Sequence, residues 1–236
     1  MSTDLAMSAK SVPSANTVKE LAPLSRAFLT NLKLVQGVSQ ENDGKFLTPD
    51  KKEVSNTAGD FILTTDKVNL GRKVNILVLD WRSHALLLKD NKKEAESFNE
   101  KSEIYRRIIT TDDDKTKKIV VMHGIELLIY IPATMDFCTF FPSKKSFRHV
   151  THDILNYMRK PEDREGSQKD LPYTAYFELI SQFTTKGNAR FFVPNVLPLE
   201  CTADLIPSER LMTEAVKTFL APCKDEPTVT NEETTY

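Results

Sequence analysis

Residues Lys73 to Asp90, KVNILVLDWRSHALLLKD, restrict the possible folds more than any other stretch of the chain. Val74, Ile76 and Val78 fall on one side of an extended backbone and Leu77, Leu79 and Trp81 on the other, in a run rich in β-branched residues. A period of two with this composition demands a strand, and a strand demands partners. Polar residues interrupt the run from Asp80 to His84 before Ala85 to Leu88 resume it, so the pattern predicts one long bent strand or two strands joined at a tight bend.

The partners are sought among the remaining apolar runs. Phe28 to Gln36 sets Leu32, Leu34 and Gln36 against Asn31, Lys33 and Val35, a first strand. Glu41 to Gly59 has loop composition, and Gly59-Asp60 turns into a second strand at FILTT. Asn91 to Glu103 reads as a charged loop or short helix, Ile104 to Thr110 as a strand, and Lys118 to Pro132 as another. Asp112-Asp113-Asp114 reads as a polar turn between those two strands; the triplet invites a metal reading, but consecutive carboxylates in a polar turn are more often solvated. Two helices are predicted. In the first, Phe147, Val150, Ile154 and Met158 make an apolar stripe, with Lys145, Arg148 and His152 on another face. The second runs from Ser208 to Leu220 and stops at Pro222. Strands dominate and do not alternate regularly with helices, which argues against a parallel nucleotide-binding sheet. The expected fold is mainly β, of the α+β kind: a small barrel with flanking helices.

Composition narrows the setting. With 236 residues, 40% hydrophobic and 28% charged, the chain is expected to form one main domain with appendages. No apolar run is long enough to span a bilayer, and Met1 to Pro13 lacks a basic start followed by an apolar stretch. Cys138, Cys201 and Cys223 are odd in number and far apart, so neither a disulfide framework nor a zinc knuckle is expected, and a cytoplasmic location fits. Residues 1–25 read as a flexible arm, 26–200 as the main domain, 201–220 as a helix packed on it and 221–236 as an acidic flexible tail. That tail sets Asp225, Glu226, Glu232 and Glu233 against Lys224 and ends in the aromatic Tyr236.

Catalytic signatures are missing from the sequence: no glycine-rich phosphate loop, no nucleophile elbow, no His-Glu-x-x-His. His149, His152 and Asp153 form the one local constellation worth testing as a metal site, and helix-surface donors are the simpler reading. His84 and His123 sit in strand-like runs without an evident carboxylate partner. No cofactor or metal is expected, and no enzymatic activity.

Binding chemistry is better represented. Tyr173 to Phe183 and Ala189 to Val196 are predicted to pair across Thr184 to Asn188, with Tyr173, Ala175, Phe177 and Leu179 on one face and Tyr176 and Glu178 on the other. Phe191 and Phe192 must then face opposite sides, with Lys186 and Arg190 close by. Exposed rings on which bases stack, beside cations that neutralise phosphates, suit single-stranded nucleic acid. Trp81-Arg82 and Tyr105-Arg106-Arg107 repeat the aromatic-cation pairing. The competing reading places all these rings in the core. The aromatic-cation argument selects Trp81, Arg82, Arg106, Lys144, Tyr176, Lys186, Arg190 and Phe191 as nucleic-acid contacts.

Three blocks, FLTNLKLVQGVSQEN, AGDFILTTDKVNLGRKVNILVLDWR and YFELISQFTTKGNARFFVPNV, carry a resemblance. Leu32, Leu34, Gln36, Ser39, Glu41, Gly59-Asp60-Phe61, Leu70-Gly71, the Val74-to-Trp81 strand and Lys186-Gly187-Asn188 before Phe191-Phe192 stand in the order seen in certain bacteriophage and prophage single-stranded DNA-binding proteins with an oligonucleotide/oligosaccharide-binding (OB) barrel. The chain resembles that family from about Phe28 to Val196. The resemblance implies an OB-like barrel that coats single-stranded DNA with little sequence preference during phage DNA replication, recombination or repair. Self-association is also expected, because a single small groove seldom coats a long strand without neighbours. The resemblance also implies that the acidic tail, through Asp225, Glu226, Glu232, Glu233 and Tyr236, docks replication or recombination proteins or competes for the groove. Many members carry a cysteine-containing insert after the arginine-rich strand, whereas Glu94 to Asp114 contains no cysteine, which removes any zinc stabilisation there. A virion structural or scaffold protein, and a nucleic-acid-processing enzyme using His149, His152 and Asp153, are the alternatives.

Overall fold

The computed structural model describes residues 29–39, 41–114, 116–142, 147–160 and 175–224. The strands are β1 (Thr30–Leu34), β2 (Lys45–Leu47), β3 (Glu53–Ser55), β4 (Phe61–Leu63), β5 (Val68–Gly71), β6 (Lys73–Lys89), β7 (Lys92–Ser97), β8 (Ile119–Ile131), β9 (Asp136–Phe140), β10 (Ala175–Lys186) and β11 (Ala189–Leu199). The helices are α1 (Glu103–Thr110), α2 (Arg148–Arg159) and α3 (Glu209–Lys224). All the strands join one mixed sheet in the order β11-β10-β6-β8-β9-β1-β4-β5-β2-β3, with β7 also paired to β6. β1 runs parallel to β9 and β2 to β5; the other pairs are antiparallel. The mainly-β expectation with flanking helices therefore holds. The sheet, however, is not closed into a barrel by main-chain pairing. In place of closure, the Gln36 side chain beyond β1 reaches across to β11: Nε2 donates to the Phe192 carbonyl at 2.9 Å and Oε1 accepts from the Phe192 amide at 3.0 Å.

The long strand follows its alternation because both its faces are covered. Val74, Ile76 and Val78 enter a core with Leu32, Phe61, Leu127, Ile129, Phe177 and the α2 residues Val150 and Ile154. Leu77 and Leu79 enter a second core with Leu128, Tyr176 and the α3 residues Ala215 and Phe219. The α2 stripe predicted from sequence is thus the buried one, and Tyr157 meets Phe177 edge-on at 5.2 Å. The alternation then breaks. Val78 pairs with Ile129 but Asp80 with Leu128, so Leu79 is the extra residue of a β-bulge. A bulge moves every later side chain to the opposite face: Arg82, not Trp81, continues the side of Leu77 and Leu79, against Phe219.

Other departures have local causes. Ile104 to Thr110, expected as a strand, is helix α1. Ser102 caps it, its Oγ accepting from the Tyr105 amide at 3.0 Å, and Tyr105 and Ile108 are buried at helical spacing against Ala85 and Leu87. Lys92–Ser97, expected as loop or short helix, is strand β7, folded back on β6 through Asp90 and Asn91, which both take positive φ (51° and 62°) as hairpin turns require. Glu41 to Gly59, expected as loop, contains β2 and β3. Pro222 lies inside α3 instead of ending it. The Asp triplet does serve its turn: Asp113 Oδ1 accepts from the Val121 amide at 2.6 Å and Asp114 Oδ1 from the Thr116 amide at 2.9 Å.

The Gly59-Asp60 motif has a structural role. Gly59 adopts φ 99°, and a Cβ there would lie 2.8 Å from the Phe192 ring, so only glycine fits under that phenylalanine. Asp60 Oδ2 accepts from the Thr57 amide at 2.8 Å and from buried Asn69 Nδ2 at 3.0 Å, while Asn69 also bonds Asn56 at 2.8 Å. These bonds hold the approach to β4 and the start of β5 in place beneath the β10–β11 hairpin. No helix among the described residues is long and apolar enough to cross a membrane.

Candidate nucleic-acid interface and a charged pocket

The β10–β11 hairpin turns through Gly187 and Asn188, with Gly187 at φ 59°. β10 pairs with β6 from Ala175 to Ile180 only, so the rest of the hairpin projects past the start of β6. In its register Phe183 lies opposite Phe192, Thr184 opposite Phe191, Thr185 opposite Arg190 and Lys186 opposite Ala189. Directly opposed residues share a face. One side of the projecting ribbon therefore carries Phe183, Phe192 and Arg190, and the other Phe191 and Lys186. Phe183 is 54% exposed and meets Phe192 edge to face at 5.4 Å and 65°. The exposed Arg72 guanidinium lies 5.2 Å from the Phe192 ring centroid. Gln36 and Gly59 hold Phe192 from below, which leaves Phe183 as the ring turned to solvent.

The sequence-selected residues divide into separate groups. Lys186, Arg190 and Phe191 come together at this tip, the cations exposed and Phe191 half-buried. Trp81 is 38% exposed on β6. From Lys73, where the hairpin leaves β6, to Trp81 the strand runs about 26 Å at roughly 3.3 Å per residue. Arg106 is exposed on α1, which packs on the same distal half of β6 through Ala85 and Leu87. Arg82 and Tyr176 must be corrected. Tyr176 is 6% exposed, in the core under α3. Arg82 is folded inward by the bulge and ion-paired, so neither offers an exposed surface to a strand. Lys144 and the tail residues Asp225, Glu226, Glu232, Glu233 and Tyr236 lie outside the described residues. Phe183 and Arg72 escaped the sequence argument, and Phe192 was weighed in it without being selected as a contact; counting outward from the Gly187-Asn188 turn would have paired Phe183 with Phe192.

Arg82 instead builds a second feature. Its guanidinium pairs with Glu126 at 2.7 Å, donates to the Phe219 carbonyl, and lies between the Phe98 and Phe219 rings, 3.7 and 4.2 Å from their centroids. Next along the face, buried His84 stacks on Phe141 at 4.1 Å. His84 Nε2 is 3.0 Å from Glu96 Oε1, and Nδ1 is 3.5 Å from Glu126 Oε2. Two carboxylates thus flank a histidine for which the sequence offered none. Glu96 comes from β7, read as loop, and Glu126 from the middle of β8. Burial works to lower the His84 pKa, but the bonds and charges of Glu126 and Glu96 outweigh it and the net direction is upward. His84 and then Lys93 bring the Glu96 carboxyl down to about 2. Burial of Glu126 opposes ionisation, yet His84 and Arg82 hold it below the usual carboxylate range. These groups line a cavity of about 590 Å³ between the sheet and the C-terminal half of α3, together with Asn31, Leu86, Met122 and Phe141.

Among the described residues no group of His, Cys, Asp and Glu is placed to hold a metal ion. His149 is used otherwise, Nε2 lying 3.2 Å from Asn195 Oδ1, and exposed His152 is 3.7 Å from its neighbour Asp153. No protein-family model, curated protein or solved structure matches the chain.

Proposed function

We propose that the protein binds single-stranded DNA stoichiometrically, without catalysis, along the face of its curved sheet that carries the projecting hairpin. The reading rests on Phe183: a phenylalanine more than half exposed, placed by register beside Arg190 and by packing beside Arg72, at the end of a ribbon anchored from below. A free aromatic face between cations stacks a base while the cations meet the flanking phosphates. Singly exposed apolar side chains are ordinary on protein surfaces, so what supports the reading is the arrangement around Phe183, its contact with Phe192 and the cations on the same side of the ribbon. On this reading the Gln36 bridge gives the open sheet the curvature that an OB barrel obtains by closure, and the process served is phage DNA replication, recombination or repair. The acidic tail recruits partners or competes for the same surface.

Anisotropy of a labelled oligothymidylate, titrated at several salt concentrations with and without duplex competitor, is the test. Binding is expected to weaken with salt and to resist duplex. Phe183→Ala is expected to cost about 1–3 kcal/mol of affinity. Arg190→Ala should reduce the salt slope by about 1. Absence of binding, or variants that bind as the parent does, would overturn the reading; salt-insensitive self-assembly in its place would point to a virion structural protein.

A further inference from the structure

Helix α3 covers the sheet with two unlike halves. In the first, Ala215 is fully buried and Met212 partly buried in the second core, with Leu79 and Leu128 beneath them. The second half forms one wall of the cavity of about 590 Å³, through Thr218, Phe219 and Pro222. Side chains beside a void forfeit the dispersion contacts that hold a packed helix down. This half is also weaker as a helix, because Pro222 has no N–H to donate to the Thr218 carbonyl one turn back.

A side chain of the sheet holds it instead. Arg82 Nε and Nη2 both lie 2.7 Å from Glu126 Oε2, and two contacts to one oxygen fix the plane of the guanidinium. That leaves Nη1 to donate to the Phe219 carbonyl. A cation on the carbonyls near a helix C-terminus also meets the negative end of the helix dipole. The same guanidinium lies 4.2 Å from the centroid of the Phe219 ring. Two strands therefore aim one group at the part of α3 that the core holds least.

We infer that α3 is a lid: it lifts from the sheet, beginning at its C-terminal half, while the sheet stays folded, and the Arg82-Glu126 pair is its latch. Opening admits solvent to the cavity and uncovers the apolar face around Leu79 and Leu128. Local opening of this kind belongs to elements with sparse buried contact. The inference rests on packing alone and not on strand binding.

Two native cysteines supply the readout. Cys201 is fully buried in the second core, which α3 covers, and Cys138 is fully buried in the first. The full chain is incubated with N-ethylmaleimide in native buffer, and modification at each cysteine is followed by peptide mass spectrometry. Cys201 is expected to react at least about tenfold faster than Cys138. In Arg82→Met/Glu126→Met, which removes the latch without leaving a buried charge, Cys201 should react about tenfold faster again, the factor that one charge-assisted hydrogen bond supplies, with Cys138 unchanged. Equal rates at the two cysteines would overturn the lid. A fast Cys201 that ignores the double variant would place the opening in the chain around Cys201 itself and overturn it too. Hydrogen exchange of the parent protein needs no substitution: α3 amides should exchange well before those of β6 and β8, and equal protection would also sink the inference.

Discussion

At Gly59 the backbone conformation and the close approach of Phe192 both exclude a side chain. Gly59→Ala is expected to destabilise the fold by about 1–3 kcal/mol, through positive φ and displacement of the Phe192 ring, readable as a lower urea midpoint. Arg82 presents the opposite case, a large side chain whose loss leaves a charge behind. Arg82→Met leaves the buried Glu126 carboxylate with His84 as its remaining charged partner, so the cost should fall below the about 3–5 kcal/mol of a wholly uncompensated buried charge. The double variant Arg82→Met/Glu126→Met should recover much of that loss. Denaturant midpoints of the two proteins decide it: equal destabilisation would show that Arg82 acts through packing on Phe98 and Phe219 and not through charge. Neither residue's importance follows from its type. Arg82 stands next to Trp81 in sequence and looks like half of an exposed aromatic-cation pair; an inserted residue at Leu79 sends it into the interior.

The element with the most to reveal is the β10–β11 hairpin. Its two strands and the opposite facing of Phe191 and Phe192 are legible in the sequence, because strand period is local, but the turn is shorter than the expected Thr184 to Asn188, since Thr184 to Lys186 continue β10. What anchors it is not. Gln36 lies on another element, and its side chain takes the place of a neighbouring strand for the Phe192 amide and carbonyl. Gln36→Leu leaves that amide and carbonyl unpaired and is expected to cost about 1–3 kcal/mol. Amide exchange at Phe192 should accelerate while exchange in β6 and β8 changes little; uniform acceleration would mean that the bridge supports the whole sheet. Helix α1 shows the limit of periodicity over short runs. IYRRIIT satisfies a strand template as well as a helical one, and Ser102 with the buried pair Tyr105 and Ile108 settles the choice.

For the molecule as a whole, the chain of charges Arg82, Glu126, His84, Glu96 and Lys93 ties β6, β7 and β8 together and reaches α3 through the Phe219 carbonyl. Its pH dependence has a definite sign. His84 titrates above its unfolded value, so its contribution is complete below about 6.5 and is lost as pH rises through the folded value. Glu96 titrates lower in the folded state, so its contribution is complete above the ordinary glutamate range and lost as pH falls toward about 2. Stability should therefore peak in mildly acidic solution, between those two titrations. Thermal melts across pH should lose the alkaline decline in His84→Gln; a decline that persists would place its origin elsewhere.

The sequence by itself determined the parts whose physics is local: the long two-sided strand, the apolar stripes of α2 and α3, the hairpin, and a mainly-β chain with flanking helices. Only the tertiary structure decided which rings face solvent and which charges meet. A single bulge exchanges the faces of β6 beyond Leu79, and strands distant in the chain bring Glu96 and Glu126 to His84. Burial, register and charge pairing arise between elements, so the exposure of Phe183 and the inward turn of Arg82 became visible only when those elements were packed together.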